Sequence, residues 1–242
     1  MVQFYEDDIK KINSVMQHIK DNFSEISSLL YVINKKANST FYDQEVICFS
    51  GKDHITEKID GLFFKIGPKS FFQTNSKQAR VLYKKTKELA NLSRNDIVYD
   101  LYTGTGTIAQ YIAKSVKKVI GIDSVEEGII AAKENAKTNN IDNCYFYSGD
   151  MKDIFSEDFV NKNGFPDIII SDPPRDGMHK NVVKQLLNIK AKRIVYVSCN
   201  SATQARDIEL LNPLYNVSYI QPVDMFPQTH HVENIVVLEL KK

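Results

Sequence analysis

The 242-residue sequence has no tryptophan, only three cysteines, seven prolines and ten glycines, and its 31 lysines and arginines almost balance 30 aspartates and glutamates. Each shortage excludes something. Cys48, Cys144 and Cys199 lie too far apart for a CxxC zinc pair, and three thiols cannot build a four-cysteine iron–sulfur site. No metal or iron–sulfur cluster is expected in this chain, and free thiols fit a reducing, cytoplasmic compartment. No run approaches the roughly 20 apolar residues of a membrane span, so no membrane partner is expected. Met1 to Lys11 is acidic and then basic, without the apolar stretch of a leader. A formal charge of +1 carries no global sign of nucleic-acid binding, although a balanced surface can hold a local basic patch. There are no repeats and no low-complexity tracts.

With 43% hydrophobic residues, the chain can build one large α/β domain with a smaller appendage. From Asp7 to Phe23, Ile9, Ile12, Val15, Met16, Ile19 and Phe23 recur at three- and four-residue spacing, which predicts an amphipathic helix. Strand-like runs at Ser28–Ile33, Gln44–Phe49 and Leu62–Ile66 predict a small antiparallel sheet. A helix from about Ser76 to Leu92 follows, capped by Thr74 or Asn75. The domain boundary is placed near Ser70, giving a small α+β segment over 1–70 and a catalytic domain over 71–242.

Strands then alternate with helices: Ile97–Leu101, Val119–Asp123, Cys144–Ser148, Asp167–Ser171, Arg193–Ser198, Val217–Val223 and Ile235–Leu240. The pattern predicts a doubly wound, Rossmann-like sheet of seven strands. Only Asp224–Asn234 separates the last two strands, too little for a crossover helix, so they are expected to form an antiparallel edge hairpin. Ligands of such sheets bind at carboxyl strand ends. At one of these, Tyr196-Val197-Ser198-Cys199-Asn200 puts a cysteine within reach of a bound electrophile. At another, Asp100-Leu101-Tyr102-Thr103-Gly104-Thr105-Gly106-Thr107 makes a GxG turn that lets a ligand approach the backbone, behind an acid suited to a cationic ligand. Asp123 and Asp150 end the next two strands, where Asp123 can accept from ribose hydroxyls.

The GxG turn and antiparallel seventh strand resemble the class I methyltransferases, whose cofactor is S-adenosylmethionine. Within that class, Asp172-Pro173-Pro174-Arg175, Ser198-Cys199-Asn200, Phe226-Pro227-Gln228-Thr229-His230-His231-Val232-Glu233 and the FxQxN element Phe71-Phe72-Gln73-Thr74-Asn75 together resemble the RNA uracil-5-methyltransferases. The resemblance spans roughly Phe71 to Leu240, with the motifs in order. It implies methyl transfer from S-adenosylmethionine to carbon 5 of a uridine in RNA, with 23S ribosomal RNA placed before transfer RNA. By motif position, Cys199, Glu233 and Asp172 become the catalytic residues; Gln73, Tyr102, Gly104, Thr107, Asp123, Asp150 and Asp172 contact the cofactor; Phe71, Gln73 and Arg175 contact the substrate. Asp123 stands where relatives often have Glu, Thr107 where Asn is common, and Ser201 replaces a frequent proline. Relatives usually carry an upstream oligonucleotide-binding barrel, which is expected to be absent here, as in an excised catalytic fragment.

The chemistry accounts for the residue types. Carbon 5 of uracil is a weak nucleophile until a thiolate adds to carbon 6, and a base must later remove the carbon-5 proton. A free thiol is only a few per cent ionised at pH 7, so Cys199 needs activation, for which Arg175 and the N-terminus of a helix over Ser201–Leu211 are candidates. His230 and His231 read as surface or packing residues. Two rivals stand beside this reading. A cytosine-5 RNA methyltransferase typically has a cysteine where this chain has Pro174. A silent adenosylmethionine- or RNA-binding module has no need of Cys199 and Glu233 together.

Overall fold

The computed structural model describes residues 1–242, which divide into two units, Met1–Glu57 with Lys65–Ser70, and Lys58–Phe64 with Phe71–Lys242. In the smaller unit, Asp8 accepts hydrogen bonds from the Lys10 and Lys11 backbone N–H groups and so starts helix α1 (Ile9–Asn22). Its Ile12 and Met16, one turn apart, are buried with Leu29 and Tyr31. Strand β1 (Val2–Phe4) runs parallel to β2 (Ser28–Ile33), which pairs antiparallel with β3 (Val46–Gly51).

The simple antiparallel sheet expected from the sequence is therefore a mixed one, and Leu62–Ile66 is not part of it. That strand, β5 (Leu62–Ile66), pairs instead with β4 (Ile55–Ile59) in a separate two-stranded ribbon. The cause is local. Asp60 and Gly61 both adopt positive φ, +46° and +88°, which is what a two-residue hairpin turn demands of an Asp-Gly pair. The tip of this hairpin, 58–64, groups with the larger unit.

The larger unit opens with helix α2 (Ser76–Ala90), for which Asn75 rather than Thr74 is the cap. Its sheet comprises β6 (Ile97–Leu101), β7 (Lys118–Asp123), β8 (Cys144–Ser148), β9 (Ile168–Ser171), β10 (Arg193–Ser198), β11 (Tyr215–Val223) and β12 (Glu233–Leu240). The spatial order is β11-β12-β10-β9-β6-β7-β8. Strands β6 to β10 are parallel, and β12 is antiparallel to both β10 and β11. The fold is that of the class I methyltransferases, and the last two strands form the antiparallel edge pair that their short connection requires. The later strand of the pair lies inside, between β10 and β11.

Alternation along the buried strands feeds two cores. Val98, Ile168, Ile170, Val195 and Val197 face α2, α3 (Thr107–Ile112) and α4 (Glu126–Thr138). Tyr99, Leu101, Ile169, Ile194 and Tyr196 face the other side, where α5 (Met151–Ile154), α6 (Glu157–Asn163), α7 (Lys180–Ile189) and α8 (Ser201–Leu211) pack. From β6 the chain winds outward to β7 and β8, then returns across β6 to β9 and β10. The crevice between the β6 and β9 ends is the switch point where open α/β sheets take their ligands.

Candidate active site

Strand register aligns the polar residues at this edge. Leu101 pairs with Ser171, Ser171 with Tyr196, and Ser198 with Asn234. The residues that immediately follow or precede these pairs are Tyr102, Asp172, Cys199 and Glu233. Glu233, Cys199, Asp172, Tyr102 and Asp123 thus occupy five neighbouring strand ends, in that order across the sheet. Cys199 and Glu233 lie 34 positions apart in sequence but at adjoining places on an antiparallel pair.

A cleft opens over β6 and β9. Phe71, Gln73, Tyr102, Gly104, Thr107 and Asp172 line it, all of them candidates from the sequence. Phe71 is 71% exposed, whereas Gln73 is buried at 7%. Asn75 links their segment to the loop before β12 by donating from Nδ2 to the Met225 carbonyl at 3.0 Å. Tyr102 holds a left-handed backbone (φ +65°), uncommon for a bulky residue and a frequent mark of a functional turn. At Gly104 (φ +54°) an added Cβ meets nothing within 4 Å, so the turn is open on that side.

Asp123 and Asp150 lie outside the cleft wall, at the β7 and β8 ends. Both Asp123 oxygens already serve the turn: Oδ2 accepts from the Gly104 N–H at 2.8 Å and Oδ1 from the Val125 N–H at 2.9 Å. Each keeps a lone pair for a ligand hydroxyl. Asp150 is exposed, caps α5 and pairs with Lys152 at 2.8 Å, which together hold its carboxyl below the usual range.

The buried end of the site is rich in acids. Asp100 is 1% exposed and lines the cleft; its Oδ2 accepts from Thr103 Oγ1 at 2.5 Å and from the Ala109 N–H at 3.1 Å. Its Oδ1 is buried with no partner. Burial pushes this carboxyl up to about 7, against the pull of those two hydrogen bonds. Burial also raises Asp172 well above the carboxylate range, and the charges of Glu233 and Asp100 add to it. Glu233, 6% exposed, is raised by burial and lowered by Arg175. Burial likewise raises the Cys199 thiol, Glu233 and Asp172 push in the same sense, and Arg175 opposes them through its charge and a hydrogen bond. Cys199 immediately precedes Asn200, the residue that caps α8; of the two activators expected from the sequence, Arg175 is the one that acts on the thiol here, and burial outweighs it.

Two further groups stand at this place beside those named by motif position. Tyr83 of α2 is buried, hydrogen bonds with Thr107 and faces Asp172, Asp100 and Glu233. Its helical spacing made it indistinguishable from a core residue. Asp100, the acid that the sequence suggests could face a cationic ligand, lines the cleft without belonging to any of the motifs. His230 is exposed and its ring lies 4.1 Å from that of His231, whose pKa is lowered by burial and by its neighbours His230 and Arg175.

Comparison with known proteins follows this geometry. The family model described as tRNA (uracil-5-)-methyltransferase matches residues 43–241. A Bacteroides thetaiotaomicron protein named only as an uncharacterized RNA methyltransferase is 56% identical over 234 residues, covering 97% of this chain and 52% of its own length. A Porphyromonas gingivalis protein of the same description is 51% identical over 240 residues, covering 98% and 52%. Among solved structures, the Pyrococcus abyssi tRNA (uracil-54, C5)-methyltransferase in complex with S-adenosyl-L-homocysteine superposes with a TM-score of 0.79 at 37% identity, over 91% of this chain and 52% of that one. The chain thus spans about half the length of the curated relatives it matches.

Proposed function

The chain belongs to the tRNA (uracil-5-)-methyltransferase family, and from that premise we propose that it carries the part that moves a methyl group from S-adenosylmethionine to carbon 5 of a uridine in RNA. The observation that carries the proposal is the β10–β12 register, which brings a cysteine and a buried glutamate to adjoining strand ends beside the cleft. S-adenosylmethionine supplies the methyl group. The chain's residues fit it: the unpartnered Asp100 oxygen is an acceptor for its ammonium, the open turn at Gly104 admits close approach, and Asp123 retains lone pairs for ribose hydroxyls. Gln73, Tyr102, Thr107 and Asp172 complete its surroundings, with Asp150 at the outer end.

In this reading Cys199 Sγ bonds to carbon 6 of the uracil, and the ring electrons shift to make carbon 5 nucleophilic. Arg175 favours the thiolate and, with Phe71 and Gln73, holds the base. Asp172, whose proton affinity is raised by burial and its acidic neighbours, donates a hydrogen bond to the ring in its protonated form. After methylation Glu233 takes the carbon-5 proton, the carbon–sulfur bond breaks, and the thiolate leaves. Glu233 suits the task because burial raises its proton affinity.

The sequence reading favours ribosomal RNA; the Pyrococcus relative, which acts on a tRNA uridine, favours a second reading of transfer RNA. One experiment tests the chemistry and sorts the substrates. Ribosomal and transfer RNA fragments bearing 5-fluorouridine are incubated with the protein and S-adenosylmethionine, then analysed by denaturing mass spectrometry. Fluorine at carbon 5 blocks the last proton removal, so a methylated covalent adduct accumulates on the true substrate with wild type and is absent with Cys199→Ala. Failure of every RNA to form an adduct despite cofactor binding overturns the uracil-5 assignment.

A further inference from the structure

We propose that Asp207, acting with Arg206, is a positioning residue that fastens the loop bearing Asp172 and Arg175 to α8 and so sets the Arg175 side chain against the Cys199 sulfur. The proposal deepens the preceding reading and rests on Cys199 being the nucleophile. Asp207 is fully buried, at 0% exposure, although it carries a carboxyl group. A buried charge persists only when every lone pair is answered, and here both oxygens are. Oδ2 accepts from the Met178 N–H at 2.7 Å and from the Tyr196 hydroxyl at 2.8 Å. Oδ1 accepts from Arg206 Nε at 2.9 Å and Nη2 at 2.7 Å.

The same Arg206 Nη2 donates to the Asp176 carbonyl at 2.8 Å. One turn earlier, Asn200 Nδ2 and Thr203 Oγ1 each donate to the Arg175 carbonyl at 3.0 Å. Main-chain groups of residues 175, 176 and 178 are thus all held by the first two turns of α8. The grip is close: a Cβ on Gly177 would lie 2.6 Å from both Arg206 Nη2 and Asp207 Oδ2. Tyr196 stands on β10, the strand that delivers Cys199, so Asp207 joins loop, helix and nucleophile strand in one network. Arg175 is the group that counters the burial of the thiol, and its place is set by a carbonyl and neighbours that α8 holds fixed.

The test is the pH dependence of iodoacetamide alkylation at Cys199, read from its peptide by mass spectrometry in the 242-residue chain. Wild type, Asp207→Asn, Arg175→Ala and the double variant are compared. Each single variant is expected to alkylate about threefold more slowly at pH 8, as a rise of about half a pH unit in the thiol pKa requires. The double variant is expected to match Arg175→Ala alone, because Asp207 acts through Arg175. An unchanged profile in Asp207→Asn, or additive shifts in the double variant, overturns the proposal. If Asp207→Asn does not fold, Arg206→Gln and Thr203→Val enter the same cycle with the same expected outcome and the same refutation. Alkylation needs no RNA, so an intact cycle with no fluorouridine adduct sinks the functional reading alone, and the reverse result sinks the positioning role alone.

Discussion

Replacing Asp100 by asparagine is expected to stabilise the protein increasingly as pH rises from about 4 and to leave it almost unchanged below the ordinary carboxyl pKa of 3.8. The carboxyl is buried, raised to about 7 from an ordinary 3.8, and has one oxygen without a partner. Well below pH 3.8 it is protonated whether the chain is folded or not. As pH rises through the window up to about 7, the unfolded chain releases this proton while the folded chain retains it, so stability falls with pH. Asparagine resembles the protonated acid, with an oxygen able to accept from Thr103 and Ala109, and it does not titrate. A gap of about 3 pH units at roughly 1.4 kcal/mol each sets a ceiling of about 4 kcal/mol on the difference at pH 8. Urea unfolding of both proteins without ligand, from pH 4.5 to 8, measures it. The midpoint advantage of Asp100→Asn should grow steadily with pH: Glu233 titrates alike in both proteins, and Asp172, relieved of the Asp100 charge in the variant, ionises more readily there and adds in the same sense. A constant difference, or one that widens toward acid, would refute the claim that this site holds its proton.

Glu233→Gln is expected to retain adduct formation with ordinary uridine RNA but to release it slowly, lowering turnover by about 10² to 10⁴. Denaturing mass spectrometry would then find a persistent methylated adduct that wild type does not show; normal turnover would remove Glu233 from the proton-transfer step. Gly121→Ala places a Cβ 2.5 Å from Phe146 and 3.0 Å from Thr103 Oγ1 beneath the Gly104 turn. Overpacking of that kind costs about 1–3 kcal/mol, measurable by urea denaturation, and an unaltered midpoint would mean that Phe146 yields freely.

The sheet was legible because its central strands are short β-branched runs buried on both faces, as in Ile168-Ile169-Ile170, and such runs resemble little else. Their ends were legible for the same reason: where apolar residues stop, Asp172 and Cys199 begin. The small unit was read less well. Ile55–Ile59 has apolar residues only at its two ends, so its strand character comes from pairing with Leu62–Ile66, and the Asp60-Gly61 turn was the signal available. Val2–Phe4 is only three residues long and gains its order from the parallel partner β2. Among site residues, motif position brought out those at strand ends. Tyr83 and Asp207 lie within helices, where a buried tyrosine or acid keeps the spacing of an ordinary helical face. What distinguishes them is the loop or strand that tertiary packing sets against them.

The inner placement of β12 governs the order in which this site can come into being. On a ribosome, Cys199 emerges with β10, and its strand remains an open edge until residues 233–240 have been made and threaded between β10 and β11. Until then the thiol has neither its neighbouring glutamate nor the completed sheet beneath it. Pairing of the strand that completes the sheet and the meeting of Cys199 with Glu233 are one event. Under the proposed reading, a chain ended before residue 233 would hold Cys199 and the Gln73–Asp172 cleft without Glu233.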